Sequence, residues 1–279
     1  MAEAYATPTL GTFDAAHTAQ GGSGTQPILS VRQIEKVYGT KDSVTHALAG
    51  VSFDVSPGEF VGIMGPSGSG KTTLLNCVAT IDTVTSGHIV IGGRDITNLR
   101  SRELARFRRD ELGFIFQDSN LLDTLNGFEN ISLALSIKGV PSNQVTAKVN
   151  AIAETLGVSD VLKKYPYQMS GGQKQRIAAA RAMVADPKLV LADEPTGALD
   201  SRSATIMLET MEMMNARLGA TIMMVTHDSY AASFAKRILF IKDGRVFNEI
   251  RRGDTSRKDF FSRIMEVVTF LGGDAGDAR

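Results

Sequence analysis

The feature that most constrains this chain is a glycine-rich segment between an apolar run and a helical pattern. It reads Gly65, Pro66, Ser67, Gly68, Ser69, Gly70, Lys71 and Thr72. The run over 59–64 predicts a buried strand, and the pattern over 72–81 predicts the helix that follows. Glycine adopts backbone angles closed to other residues, so successive N–H groups can converge on an anion at the positive helix end. The context predicts a phosphate-binding loop rather than an ordinary turn.

The side chains that end this loop carry the groups that a nucleotide needs. The Lys71 ammonium is expected to reach the β and γ phosphates. The Thr72 hydroxyl is expected to ligate Mg²⁺, which prefers oxygen donors. Both roles require the strand and the helix on either side of the loop.

A second apolar run, over 189–192, ends in the two carboxylates Asp193 and Glu194. Ligands of open α/β folds bind at the carboxyl edge of the parallel strands, where such a run would place these side chains. Asp193 is suited to holding Mg²⁺, and Glu194 to polarising the water that attacks the γ-phosphate. Taken alone, the pattern equally fits a strand that leads into an exposed loop.

A second glycine-led helix is predicted where Met169, Ser170, Gly171, Gly172 and Gln173 precede a helical pattern over 174–185. Such a helix N-terminus can bind an anion. The alternative is local, with Ser170 as a simple N-cap and the glycines as a turn.

These three segments resemble the Walker A loop, the Walker B strand and the signature motif of ATP-binding cassette (ABC) transporters. The resemblance covers about residues 28–271. The signature usually opens with leucine, and Met169 keeps an apolar side chain there. Tyr38 resembles the aromatic residue that stacks on adenine, and Gln117 resembles the Q-loop glutamine. His227, after the apolar strand over 222–225, resembles the switch histidine near the γ-phosphate.

The resemblance implies a complete set of site residues for an ATPase that uses ATP and Mg²⁺. Catalytic roles fall to Glu194, His227 and Gln117, and the Mg²⁺ contacts to Thr72, Gln117 and Asp193. The implied nucleotide contacts are Tyr38, Gly65, Pro66, Ser67, Gly68, Ser69, Gly70, Lys71, Thr72, Thr73, Ser170, Gly171, Gly172, Gln173 and the D-loop residue Asp200.

The resemblance also implies partners. Two copies are expected to meet head to tail around ATP, so that Ser170 and Gly172 of one copy face the phosphate held by Lys71 of the other. A multi-span membrane permease, encoded separately, is expected to carry the transport path. Within the family, the segment 111–135 and the ending around 271–273 look most like exporters of the bacitracin and lantibiotic resistance type. Lipoprotein-releasing and macrolide-export subunits are close relatives. The alternative function is nucleotide-gated regulation of an envelope or cell-division complex, without transport.

The expected fold class is α/β, the P-loop NTPase fold of ABC cassettes. It combines a parallel-sheet core, an antiparallel β subdomain and a helical subdomain over about 118–170. The expected organisation is a disordered leader over 1–26, a single ABC ATPase domain over 27–271, and a C-terminal tail over 272–279.

Composition limits the partners and the compartment. The formal net charge of the 279 residues is zero, and the arginines over 100–109 alternate with acidic residues, so no nucleic acid is expected. Cys77 is the single cysteine, which excludes an intrachain disulfide and favours a reducing compartment. No run approaches the roughly 20 apolar residues of a membrane-spanning helix. The chain is therefore expected at the cytoplasmic face of a bacterial membrane, bound through its permease.

Two apolar groups keep two interpretations each. Phe114, Phe116, Leu121 and Leu122, around Gln117, could pack in the core or form a groove for a permease helix. The C-terminal apolar residues lie near helical spacing, which fits either core packing or a dimer or regulatory contact. They are Phe260, Phe261, Ile264, Met265, Val268 and Leu271.

Overall fold

The structure is a computed structural model that describes residues 26–40 and 43–273. Apart from its last residue, the predicted leader lies outside the described residues. Of the predicted tail, residues 274–279 also lie outside them. The final helix continues to Gly273, past the domain end predicted at residue 271.

The chain alternates strands and helices in the order typical of an α/β protein. The strands are β1 (Leu29–Thr40), β2 (Ser43–Val55), β3 (Phe60–Met64), β4 (Ser86–Ile91), β5 (Arg94–Asp95), β6 (Leu112–Ile115), β7 (Leu189–Asp193), β8 (Ile222–Val225), β9 (Arg237–Lys242) and β10 (Arg245–Arg251). The helices are α1 (Lys71–Val78), α2 (Ser101–Glu111), α3 (Gly127–Lys138), α4 (Ser142–Thr155), α5 (Gly171–Met183), α6 (Ser201–Leu218), α7 (Ser229–Ala232) and α8 (Arg257–Gly273).

A six-stranded sheet in the order β10-β9-β3-β8-β7-β6 forms the core. Strand β3 pairs in parallel with β8 and β9, and β7 pairs in parallel with β6 and β8. The carboxyl ends of β3, β8 and β7 therefore lie side by side at one edge. This edge receives the loops that begin at Gly65, Glu194 and Thr226.

The central strands are buried on both faces, which explains why the sequence shows unbroken apolar runs there. In β3, Phe60 and Met64 face a core layer built with the helices α3 to α6 and α8. Val61 and Ile63 face a second layer, shared with α1 and the other sheet. The parallel-sheet core predicted from the sequence is confirmed.

A four-stranded antiparallel sheet in the order β2-β1-β4-β5 forms the predicted β subdomain. Its inward side chains, such as Leu29, Val51 and Ile91, are fully buried against the α1 side of the core. Strand β2 also passes close to the first residues of α1, since a Cβ atom on Gly70 would lie 2.3 Å from the Ala47 carbonyl oxygen. The second sheet thus supports the phosphate loop from outside.

The helical region packs α3 and α4 against α5, the helix that the signature segment opens. Asn130 is fully buried in α3 and fixes the main chain of the segment that precedes this helix. Its side-chain amide donates to the carbonyl oxygens of Leu122, Leu125 and Asn126, and its Oδ1 accepts from the Leu122 N–H. Because α5 shares this packing, the helical unit extends beyond residue 170.

The C-terminal helix α8 packs mainly on its own core. Phe260 and Ile264 are fully buried, and Leu271 is nearly so. Core packing is therefore the correct interpretation for these three residues. Met265 and Phe270 remain exposed, and the Phe270 ring stacks on Phe247 of β10 with ring centroids 6.1 Å apart.

Cys77 lies on the inner face of α1. It is buried, and burial raises the pKa of its thiol to about 11. The thiol is therefore protonated at neutral pH, so Cys77 serves as a small apolar side chain.

Candidate active site

Three loops meet in one cavity of about 500 Å³ at the carboxyl edge of the central sheet. The phosphate loop follows β3, Glu194 follows β7, and His227 follows β8. The residues that line the cavity are Met64, Gly65, Pro66, Ser67, Gly68, Lys71, Thr72, Glu194, His227, Val268 and Leu271. The parallel strand order thus brings together residues that are more than a hundred positions apart in the chain.

The glycines of the phosphate loop adopt backbone conformations that other residues rarely take. Gly65, Gly68 and Gly70 have φ angles of 152°, 76° and 101°. A Cβ atom at Gly65 would lie 2.0 Å from the Ile241 carbonyl oxygen, so this position also needs glycine for space. At Gly68 nothing lies within 4 Å, and the open cradle there suits a phosphate group.

Lys71, the first residue of α1, is held against the loop that precedes it. Its Nζ donates to the carbonyl oxygens of Gly65 at 2.9 Å and Pro66 at 2.8 Å. Burial lowers the pKa of the Lys71 ammonium, while the negative charges of Glu194 and Asp193 oppose that shift. Lys71 and Glu194 both line the cavity, whereas Asp193 does not, and the ammonium can meet a phosphate there.

The oxygen donors near the loop fit a magnesium ion. Burial, and then the charge of Glu194, raise the pKa of the Asp193 carboxyl, and Lys71 opposes this. A group crowded by a second carboxylate gains from a nearby cation. Over residues 26–40 and 43–273, no cluster of three or more His, Cys, Asp or Glu side chains could hold a metal alone. Magnesium sites often have only one or two carboxylates, and the substrate phosphates complete them.

Glu194 and His227 form a hydrogen-bonded pair inside the cavity. Glu194 Oε1 lies 2.7 Å from His227 Nδ1 and accepts the His227 main-chain N–H at 3.1 Å. The His227 side chain is 75% exposed, so its ring is open to a ligand. Glu194 has φ of 45°, a left-handed conformation that a non-glycine residue adopts at a cost. Such strain is often found at catalytic positions.

Gln117 lies outside this cavity, in a neighbouring one that Gly171 and Lys174 also line. Its side chain lies against Gly197, where an added Cβ atom would be 3.1 Å from the amide. The structure therefore does not bring Gln117 into the cavity that contains Lys71 and Glu194.

The signature and D-loop residues are engaged locally within this chain. The Ser170 hydroxyl caps α5 by accepting the Gln173 N–H, and the Ser170 N–H in turn donates to Gln173 Oε1. Asp200 caps α6 by accepting the N–H groups of Arg202 and Ser203. Neither segment lines the cavity that contains Lys71, so a contact with the same nucleotide would need a second copy.

Tyr38, like Thr73, does not line the cavity that contains Lys71. Tyr38 belongs to β1 and is 41% exposed, and its hydroxyl donates to Asp82 at 2.6 Å. Ser69 is nearly buried, and its hydroxyl has no hydrogen-bond partner. Unlike the preceding loop residues, Ser69, Gly70 and Thr73 do not line the cavity.

Sequence reasoning missed two residues that fix the Q-loop. The Gln175 side chain, buried in α5, donates to the carbonyl oxygens of Phe116 and Gln117 at 3.0 and 2.5 Å. Arg181 donates to the Ser119 and Asn120 carbonyl oxygens. A polar side chain on the inner face of a helix was the available signal, because buried polar groups need partners.

Sequence reasoning also missed a contribution from α8. Val268 and Leu271 line the cavity that contains Lys71 as apolar walls. Their spacing predicted an amphipathic helix, but no local signal placed its last turns beside the phosphate loop.

Comparison with known proteins agrees with this geometry. A family model described as ABC transporter matches residues 48–197. The bacitracin export ATP-binding protein BceA of Halalkalibacterium halodurans is 50% identical over 250 residues, 90% of this chain and 99% of that protein.

The chain belongs to the ABC transporter family. It is an ATP-binding subunit and an ATPase of that family. A solved structure titled as the dimeric, post-hydrolysis state of the ATP-binding cassette MJ0796 with ADP and Pi is 36% identical, with a TM-score of 0.71. The match covers 80% of this chain and 98% of that one.

A relative with a longer chain is also found. The macrolide export ATP-binding/permease protein MacB of Aggregatibacter actinomycetemcomitans is 38% identical over 88% of this chain but only 37% of its own length. Within the part of the present chain that the structure describes, no helix combines the length and apolar character needed to cross a membrane.

The two glycines Gly70 and Gly68 are expected to respond differently to an added methyl group. Gly70→Ala should lower the free energy of unfolding by about 2 kcal/mol more than Gly68→Ala, because the new Cβ meets the fixed Ala47 carbonyl oxygen. Gly68→Ala carries only the backbone penalty of about 1–2 kcal/mol for its positive φ. Urea denaturation of both variants measures the difference. Equal losses would contradict the close contact with β2.

Proposed function

We propose that this chain powers the export or removal of bacitracin-like antimicrobial peptides, or another amphipathic envelope substrate, through a separately encoded membrane permease. The observation that carries the proposal is the 50% identity across 99% of a bacitracin export ATP-binding protein. That protein is matched over almost its whole length, whereas the macrolide export relative carries its permease in the same chain. The ATPase activity itself is a property of the family.

Glu194 is the proposed general base for ATP hydrolysis. Its carboxylate lies in the nucleotide cavity and is oriented by His227, whose ring and main-chain N–H both contact the same oxygen. A carboxylate held in this way can accept a proton from the water that attacks the γ-phosphate. The exposed ring of His227 can contact the phosphate as it leaves.

The phosphate loop, Lys71 and Thr72 would hold the β and γ phosphates in place for attack. Thr72 and Asp193 would hold Mg²⁺, which neutralises negative charge on the phosphate oxygens when bound. Gln117 lies in the neighbouring cavity, so it would have to move toward Lys71 to join them. Tyr38, exposed beside the outer end of the loop, is the proposed contact for adenine.

We expect Glu194→Gln to bind ATP nearly as well as the wild type and to lower turnover by at least about 10²-fold, or about 2.7 kcal/mol of transition-state stabilisation. The amide cannot accept a proton. The variant should also accumulate an ATP-bound dimer, seen by light scattering.

Glu209→Gln, an exposed carboxylate of α6, is the matched control and should turn over like the wild type. Wild-type turnover in Glu194→Gln would reject its role as the base.

The proposed active unit is an ATP-sandwiched homodimer in which each site is shared. Ser170 and its glycines lie at the N-terminus of α5, where main-chain N–H groups and the helix dipole favour an anion. In their own chain they do not line the cavity with Lys71. A second copy placed head to tail would bring them to that phosphate. The solved dimeric relative supports a dimer of this kind.

Mixing two inactive variants tests the shared site. Lys71→Ala and Ser170→Arg should each be inactive alone, since both sites of each homodimer are damaged. In the mixed dimer both lesions fall in one site, and the other keeps Lys71 and Ser170 intact. ATPase assays of the mixture should therefore show partial recovery. Full activity of either variant alone would refute the arrangement.

The permease would bind a groove of about 350 Å³ between β6 and the helical region. The stacked rings of Phe114 and Phe116, with centroids 5.8 Å apart, line it, and Arg108 and Arg181 lie at its border. Leu121 packs against the core instead, and Leu122 lies outside the groove and is 48% exposed. Phe116 directly precedes Gln117, so a helix in this groove would contact the Q-loop.

Deleting this gene together with the neighbouring permease gene should sensitise cells to bacitracin. Gln117→Ala should reproduce the loss while the purified protein still binds ATP, because the coupling of nucleotide to permease is removed. Gln144→Ala, on the exposed face of α4, should restore resistance like the wild-type gene. Growth inhibition assays measure this. Unchanged bacitracin susceptibility with a macrolide, lipoprotein-sorting or division defect would favour one of the alternative outputs.

A further inference from the structure

A polar cluster holds the exposed aromatic ring at the end of β1. Lys36 and Tyr38 lie two positions apart on this strand, so their side chains share one face of the sheet. The Tyr38 hydroxyl donates to Asp82 Oδ2 at 2.6 Å, and Lys36 Nζ donates to Asp82 Oδ1 at 2.6 Å. Asp82 therefore binds both side chains at once.

Each member of the cluster is fixed by further contacts. Lys36 is only 8% exposed, and its ammonium also donates to the Thr83 carbonyl oxygen. Asp82 accepts the Thr83 N–H at 2.7 Å. Burial alone would raise the pKa of the Asp82 carboxyl, but the hydrogen bonds from Lys36 and Tyr38 outweigh it and lower the pKa. A buried lysine and a charged carboxylate therefore support each other.

The ring of Tyr38 is left with one occupied side and one open side. Lys36 Nζ lies over the ring, 4.8 Å from its centroid. Lys36 is 8% exposed and Tyr38 is 41% exposed, which indicates that the ring face opposite Lys36 is the one a ligand can reach. A purine base stacks on an aromatic face of this kind.

The cluster is also joined to the phosphate loop through one helix. The Asp82 main-chain N–H donates to the Asn76 carbonyl oxygen of α1, the helix that begins at Lys71. Thr73, in the first turn of α1, contacts the Tyr38 hydroxyl. Helix α1 therefore connects Asp82, the partner of Tyr38, to Lys71.

We propose, resting on the adenine contact proposed for Tyr38 above, that Lys36 and Asp82 are positioning residues that hold the Tyr38 ring as a stacking platform for the base of ATP. They neither contact the phosphates nor take part in hydrolysis. Their loss should therefore weaken binding of the base and leave the phosphate contacts unchanged.

The test compares ATP with inorganic tripolyphosphate, which has the phosphates but no base, by isothermal titration calorimetry of the full chain. Tyr38→Phe, Asp82→Asn and Lys36→Met should each raise the Kd for ATP about threefold to tenfold, since each loses a hydrogen bond that orients the ring or its anchor. The Kd for tripolyphosphate should stay at its wild-type value. Tyr38→Phe removes only the hydroxyl of a residue that is 41% exposed, so this variant still tests the proposal if a variant of the buried Lys36 does not fold.

Two controls separate the outcomes. Asp54→Asn removes a β2 carboxylate that pairs at 2.8 Å with Arg32 of β1, the strand that also carries Tyr38. Both Kd values should stay unchanged in this variant. Tyr38→Ala should raise the Kd for ATP about tenfold. If only Tyr38→Ala weakens ATP binding, the platform stands and the positioning role is wrong. If Tyr38→Ala has no effect, the proposed adenine contact itself is wrong. If the Lys36 and Asp82 variants raised the Kd values for ATP and tripolyphosphate equally, these two residues would only stabilise the fold.

Discussion

The parallel pairing of β3, β8 and β7 is the constraint on which the active site depends. Because parallel strands all point the same way, their carboxyl ends form one edge, and each loop that leaves this edge enters the same space. The phosphate loop, Glu194 and His227 meet there although they come from distant parts of the chain. The antiparallel sheet supports the phosphate loop from outside, because β2 passes close to Gly70.

The helical region is connected to the nucleotide side by specific hydrogen bonds as well as by apolar packing. Ser170 of the signature segment caps the N-terminus of helix α5. The side chains of Gln175 and Arg181, on the same helix, donate to the backbone of the Q-loop segment. A displacement of α5 therefore acts on Gln117 directly. Through such a link, the proposed permease groove and the proposed shared phosphate site would respond to each other, which is the kind of coupling that a transport ATPase requires.

The fold class and the main motifs could be predicted from the sequence, because their signals are local. Unbroken apolar runs identify strands buried on both faces, and the glycines of the phosphate loop identify its turn. The links between motifs could not be predicted. Glu194 and His227 are 33 positions apart, and Gln175 reaches a carbonyl oxygen 58 positions away. These bonds depend on strand order and helix packing, which no local pattern encodes. The site roles taken from the family resemblance remain predictions.

Glu194 combines a reactive side chain with a backbone that its residue type disfavours. Its φ of 45° belongs to the left-handed region, where glycine is the residue most easily accommodated. The strain is of the order of 1–3 kcal/mol, and the surrounding parallel strands keep it in place. A glycine at this position would relax the main chain and remove the carboxylate together. With Glu194 as the proposed base, selection for heat resistance would favour glycine at this position, and selection for transport would favour glutamate. A library screened only for thermal stability would then tend to enrich inactive proteins.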